Sequence, residues 1–398
     1  MPHSSLGARQ ACGFRFDNAR DERILKGRAN AVRGKSPFDF LVILGKCMMA
    51  RDKADVRAYL TRMLNFTSIM RQKKPELAID LGTANMRIMT RGEGLVFDEP
   101  SLCYFRNENG QSRFVSAGQV VRAMVDRVPK SFSVRRPLAR GVLQDIEAAS
   151  ALLAHGFAAI ARKGSRSRPF ALIGIPADAT KAEANALMVA ASDAGLGKVE
   201  LVRETFAAAV GAGLQIGEPR ASMIVECGAG TTEIAVFSSD GVCKTKSVRI
   251  GGQSLDMALT ELLQVKHHFL IGQITAESLK KSLSFRDPTS LVGNESLLIK
   301  GRDLRSGLPG TMTIEPSVFD PVFRKHFARF AEATRAVLNE LSPDLAADLL
   351  NERIVATGGG ICAHFLAEAI AQECDVPVTV ADDPSGCVAR GLERMLDG

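Results

Sequence analysis

The sequence predicts an α/β fold of two similar domains that face one cleft. Three observations lead to it. A strand, a Gly/Thr turn and a second strand occur twice in one design, at Leu77–Thr90 and at Val225–Phe237, so that Asp80 and Glu226 hold equivalent places 146 residues apart. Apolar strands alternate with helical stretches between the two hairpins, the pattern of sheets covered by helices. The length of 398 residues, with 46% hydrophobic and 24% charged content, provides two ordinary domains with a core each.

In chain order, residues 1–74 read as a basic extension ahead of the fold. They hold 16 Lys/Arg against 6 Asp/Glu, and the remainder holds 35 against 38, so the net charge of +7 belongs to the extension. The body therefore shows no nucleic-acid signature; it lacks Trp and any interleaving of basic with aromatic residues. Residues 1–35, rich in Arg, Gly, Ala and Ser, are expected to be disordered or to precede the true start, for which Met63 and Met70 are candidates. The apolar run Phe40–Leu44 lacks the cleavage site of a signal peptide, and no window approaches the ~20 apolar residues of a membrane span. Met63–Met70, followed by Arg71, Lys73 and Lys74, has the composition of a short amphipathic anchor on an anionic membrane. The eight cysteines contain no C-x-x-C pair; Cys227, Cys362 and Cys387 are expected to be reduced and buried, and no histidine spacing suggests a metal.

From Glu76 the pattern sharpens. Leu77–Leu81, Met86–Thr90 and Leu95–Phe97 read as a meander of strands. Residues 143–163 carry apolar side chains at helical spacing. Phe170–Ile175 is a buried strand closed by Pro176. Lys181–Ala194 reads as an Ala-rich helix stopped by Gly195, Val199–Val202 as a strand, and Phe206–Gly213 as a helix whose Gly211 and Gly213 form its cap. Met223–Cys227 then opens the second hairpin, and Ile354–Ile361 ends a strand in a third glycine turn that opens a helix. The expected division is 75–212, 213–379 and a segment 380–398 returning to the first domain.

Such turns suit phosphate. Glycine lets the backbone approach a ligand, and successive N–H groups converge on an anion. Thr83, Thr231 and Thr232 add hydroxyl donors. Asp80 and Glu226, at the strand ends, are placed to hold Mg2+ through water and to orient an attacking water. Two turns in register plus Thr357-Gly-Gly-Gly360 point to a nucleotide, and the absence of G-x-x-x-x-G-K-[ST] excludes a P-loop.

At these residues the chain resembles the actin, heat-shock chaperone and sugar-kinase superfamily, and within it the MreB family. The resemblance runs from about Leu77 to Leu396. It rests on Ile79–Asn85, Arg136–Val142, Ala207–Gly213, Gly301–Pro309, Thr357–Gly360 and Asp383–Gly391, of which Gly301–Pro309 separates MreB from chaperones and kinases. It implies an actin-like fold, a duplicated ribonuclease H-like unit with the nucleotide cleft between its halves. It further implies ATP and Mg2+ as cofactors, paired protofilaments on the inner face of the cell membrane, and work with other morphogenesis proteins to organise wall synthesis. By position, Gly82, Thr83, Ala84 and Asn85 match the first phosphate turn, and Gly228, Ala229, Gly230 and Thr231 the second. Gly358, Gly359 and Gly360 match the turn near the nucleoside and α-phosphate, Glu277 and Lys280 the helix that meets ribose and adenine, and Glu204 the water-positioning acid.

The chain departs from the family pattern at Glu226, where aspartate is usual, at Ala229 for glycine, at Thr205 for proline and at Arg203 for an acidic residue. Backbone donors carry binding, so binding is expected to survive. Hydrolysis is expected to be slow, because misplacement of a reacting group by one C–C bond can reduce a rate ~10²-fold. The loop Arg162–Arg168 is basic and lacks the family's apolar pair, which leaves a solvated loop or electrostatic docking on lipid. Two other functions fit the fold: a monomeric phosphotransferase, for which no sugar-kinase signature is present, and an inactive paralogue that modulates another filament.

Overall fold

The computed structural model describes residues 74–161, 168–239, 241–284, 296–363 and 365–397. The extension before Lys74, including the Met63–Lys73 segment, and residues 162–167 of the basic loop lie outside them.

The first half opens with the expected meander, β1 (Leu77–Leu81), β2 (Asn85–Thr90) and β3 (Gly94–Pro100). A small sheet of β4 (Cys103–Glu108), β5 (Gln111–Ala117) and β6 (Phe132–Arg135) follows, with the one-turn helix α1 (Gln119–Arg122). A short hairpin, β7 (Leu138–Ala139) and β8 (Val142–Leu143), leads into α2 (Ile146–Ile160). Asp145 caps α2 through the Ala148 N–H, which starts the helix three residues inside the predicted range. Then come β9 (Ala171–Ile175), α3 (Lys181–Asp193), β10 (Val199–Arg203) and α4 (Glu204–Ala212). Thr180 and Glu183 form a reciprocal capping box on α3.

The second half repeats the plan with β11 (Ser222–Cys227), β12 (Thr232–Ser238) and β13 (Gly241–Val248), followed by α5 (Gly252–His267). A small sheet of β14 (Phe269–Leu270), β15 (Leu297–Asp303) and β16 (Pro309–Ile314) lies next to α6 (Gln273–Ser284). The chain continues through α7 (Asp320–Leu338), α8 (Pro343–Glu352), β17 (Ile354–Thr357), α9 (Leu366–Cys374), β18 (Val378–Val380) and α10 (Cys387–Asp397).

The two main sheets run β3-β2-β1-β9-β10 and β13-β12-β11-β17-β18. In each an antiparallel meander is extended by two parallel strands, so the duplication seen in the hairpins extends to the whole sheet. The first sheet buries one face under α2 and α3, the second under α7, α8 and α9. Between the sheets, α4 and α10 pack with Ala78, Leu172, Ile224 and Ala235.

That middle layer corrects one expectation. Gly213 does cap α4, with φ of 79°, but Gly211 is a packing residue. A Cβ on Gly211 would lie 1.8 Å from the Cys387 carbonyl oxygen, and one on Gly391 1.7 Å from that of Ala207. The two helices thus cross backbone to backbone, and only glycine fits. The third glycine turn also differs from expectation, since Gly359–Cys362 forms a 3-10 turn and the next helix begins at Leu366. Cys227 and Cys387 are buried, whereas Cys362 is half-buried.

Candidate functional site

Each meander presents its first turn to the cleft. In the first hairpin the Gly82 N–H donates to the Asn85 carbonyl at 3.0 Å; in the second, Gly228 does the same to Thr231 at 2.8 Å. Buried Ser101 locks the first turn, its hydroxyl donating to the Gly82 carbonyl at 2.7 Å and its N–H to that of Ala84 at 2.8 Å. The turns meet across the cleft. A Cβ on Gly230 would stand 2.5 Å from Thr83 Oγ1 and 2.6 Å from the Gly141 nitrogen. Gly141 donates to Thr83 Oγ1 at 3.2 Å, which leaves the Thr83 hydroxyl proton available to a ligand. Thr232 is different from the prediction: its hydroxyl is spent on the Ile250 carbonyl at 2.8 Å, inside the protein.

The third turn closes on the second. Gly358, with φ of 85°, packs so tightly that a Cβ would reach the Cys227 carbonyl oxygen at 2.4 Å. Gly360 is similarly close to Cys227, while Gly359 faces open space. The start of α5 seals the other side, where Gly252 and Gln253 donate to the carbonyls of Gly228 and Ala229. Lys280 reaches this point, donating to the Gly252 carbonyl at 3.1 Å and pairing with Asp256 at 2.8 Å. Glu277 lies further out at the rim, bridged to Arg122 and Lys281, both at 2.7 Å. Beside it the Gln273 N–H donates to Asp126 at 3.0 Å, so the start of α6 is joined there to the turn that follows α1.

Four carboxyl groups converge beneath the turns. Asp80, Glu226 and Glu233 are 8%, 9% and 0% exposed. Glu204 begins α4 and rests over Gly174, where a Cβ would stand 3.3 Å from its Cγ; the glycine makes room for it. Burial raises Asp80 to about 6, against the opposing Arg87 charge. Burial and then repulsion from Glu233 and Asp80 push both Glu204 and Glu226 well above the usual carboxyl range. Glu233 rises to about 7, mainly by burial, although its oxygens accept the Ala177 N–H at 3.0 and 3.2 Å. Glu204 and Glu226 have no basic partner among the described residues. A divalent cation here would be met by Asp80 and Glu226, and only through its own waters. Among the described residues no three such side chains are close enough to grip an ion directly, and Mg2+ usually keeps several of its waters. Glu204 also borders a cavity of about 30 Å³, lined in part by Gly141, Gly174, Asp178 and Arg249. A water needs roughly 10–15 Å³ of such space.

Glu233, Ser101, Gly141 and Arg87 were not anticipated from sequence. For two of them a signal was present. Asp80 pairs across its hairpin with Arg87, and Glu226 with Glu233. A charged residue seven positions after each strand-end acid marks both.

The carboxyl cluster predicts a pH dependence. A carboxyl raised on folding binds its proton more tightly in the folded chain, so stability falls as pH rises from its unfolded value to its folded one. For Glu233 that window runs from 4.5 to about 7, and for Asp80 from 3.8 to about 6. Buried His326, lowered from 6.5 to about 4 by burial, acts oppositely and removes stability as pH falls below 6.5. Between pH 8 and 6.5 Asp80, whose window ends at about 6, adds little; Glu233 carries the gain, and His326 opposes it only as pH nears 6.5. The nucleotide-free protein should melt higher at pH 6.5 than at pH 8, and Glu233→Gln should reduce that difference. A melting temperature flat across this range would mean that burial does not raise the Glu233 carboxyl.

The profile of the family described as MreB/Mbl protein matches residues 74–398. The cell shape-determining protein Mbl of Bacillus subtilis is 36% identical over 322 residues, which cover 81% of this chain and 96% of that protein. Among solved structures, MreB5 of Spiroplasma citri bound to AMPPNP superposes with a TM-score of 0.74 at 29% identity, over 81% of this chain and 96% of that one. A MamK double helical filament gives a TM-score of 0.64 at 25% identity, over 81% and 98%.

Proposed function

The chain belongs to the MreB/Mbl family and has its actin-like fold, and from that membership we propose that it is a nucleotide-gated filament protein that determines cell shape. One observation carries the reading: the Gly/Thr turns of the two halves meet at Thr83 and Gly230, above Asp80 and Glu226. ATP lies between them, its phosphates on the backbone donors of Gly82–Asn85 and Gly228–Thr231 and its nucleoside toward Gly358–Gly360, Glu277 and Lys280. Asp80 and Glu226 would hold Mg2+, which when bound would supply the charge that lets a polyphosphate sit among carboxylates. Glu204 positions the hydrolytic water, a role supported by the cavity beside it. Turnover is slow, because Glu226 is one carbon longer than the usual acid and Ala229 stands in the second turn where glycine is usual.

Nucleotide binding is supported by the AMPPNP-bound relative and self-association by the MamK filament. The filaments lie on the inner face of the cell membrane and organise wall synthesis with other morphogenesis proteins. No helix among the described residues is long and apolar enough to cross a membrane.

The test is sedimentation of the full chain with ATP and Mg2+, with ADP, and without nucleotide, each with and without anionic liposomes. Pelleting only with ATP and Mg2+ is expected, with a single-turnover hydrolysis rate below that of the Bacillus subtilis relative. A protein that binds ATP but stays in the supernatant would be a modulator or a phosphotransferase instead.

A further inference from the structure

The two hairpins differ at one equivalent position. Asp80 on β1 stands opposite Arg87 on β2, and Glu226 on β11 stands opposite Glu233 on β12. Cross-strand partners share a face, so each pair projects together. The second hairpin thus sets carboxyl against carboxyl, and the first sets carboxyl against guanidinium. The row continues on β3, where Asp98 is the partner of Arg87. Arg87 reaches Asp80 at 3.5 Å and Asp98 at 3.1 Å. It also donates to the Ser385 carbonyl at 2.7 Å. That contact reaches the third glycine turn, because the neighbouring Pro384 carbonyl accepts the Gly358 N–H at 2.8 Å. The Arg87 side chain is only 19% exposed, so solvent screens its charge little.

We propose that Arg87 is a resident counter-charge for Asp80, so that the divalent-cation requirement of this cleft falls mainly on Glu226 and is weaker than the carboxyl count implies. The inference rests on the nucleotide reading above. A polyphosphate entering the cleft meets acids in both halves. In the first half its repulsion from Asp80 is offset by a protein cation at fixed distance. In the second half Arg249 acts on Glu233 but no basic group acts on Glu226 among the described residues, and an external cation must serve there. Asp98 shares Arg87 with Asp80 and sets how much of that charge reaches the cleft.

The measurement is the ratio of ATP dissociation constants in EDTA and in excess Mg2+, by calorimetry on the full chain. Arg87→Met, which keeps the unbranched stem, should raise the ratio by about tenfold, as expected for losing one partly buried charge near the phosphates. Asp98→Asn keeps Arg87 and removes its competing partner, and should lower the ratio below that of the unsubstituted protein. Should Arg87→Met fail to fold, the fall in Asp98→Asn still decides the matter. ATP binding with a ratio that neither substitution moves in these directions overturns this inference alone. No ATP binding by the unsubstituted protein overturns the nucleotide reading, and this inference with it.

Discussion

Gly230→Ala is expected to weaken ATP binding by about 100-fold while leaving the chain folded. Gly230 does not have a positive φ, so alanine is allowed there by the local backbone. The obstacle lies across the cleft. The added Cβ would meet Thr83 Oγ1 at 2.5 Å, the Gly141 nitrogen at 2.6 Å and the Arg140 carbonyl carbon at 3.0 Å. Two of these are backbone atoms and cannot rotate away. Relief requires the turns to separate, and donors aimed at one ligand from both sides then lose their common target. Overpacking of this kind typically costs about 1–3 kcal/mol, and 1.4 kcal/mol is tenfold in affinity. Calorimetric titration with ATP reads the change, and circular dichroism shows whether the fold is kept. Unchanged affinity would mean that the two turns do not act on one ligand.

Gly391→Ala should be the most destabilising single methyl in the body. Alanine normally improves a helix by about 1 kcal/mol over glycine. Here its Cβ would stand 1.7 Å from the Ala207 carbonyl oxygen and 2.5 Å from the carbonyl carbon, so α10 must move away from α4. Ala207, Ala208, Ala209 and Leu392, all 0% exposed, would lose their packing. A net loss of about 3 kcal/mol or more is expected. It should appear as a drop of several degrees in melting temperature, and Gly211→Ala should behave alike, since its Cβ meets the Cys387 carbonyl oxygen from the opposite helix. Because α4 begins at Glu204, both variants should also slow hydrolysis more than they weaken binding. A raised melting temperature in either would show that the helices cross less closely than described.

The hairpins, the order of strands and helices and the glycine turns were legible in the sequence because they depend on local rules. A strand alternates, a helix repeats every three to four residues, and glycine marks a tight approach. The duplication was legible for the same reason, since both halves spell the hairpin alike. Helix ends were less so. Helix α4 starts at Glu204, two residues before the predicted Phe206, which moves the acid from a loop onto a helix N-terminus.

Residue pairing across the chain was beyond sequence. That Gly211 serves the crossing with α10 and not the cap depends on Cys387, far along the chain. That Thr232 is occupied depends on Ile250. Glu233 is one charge in an apolar strand by sequence; register sets it opposite Glu226, and packing places it against the Ala177 N–H. Sequence by itself determined the family, the repeated sheet and the residue types at the turns, because each follows from neighbours within a few positions. Tertiary structure decided which carboxyls repel, which cation offsets them and which glycines touch across the cleft, because charge and steric exclusion act through space and their partners come from distant segments.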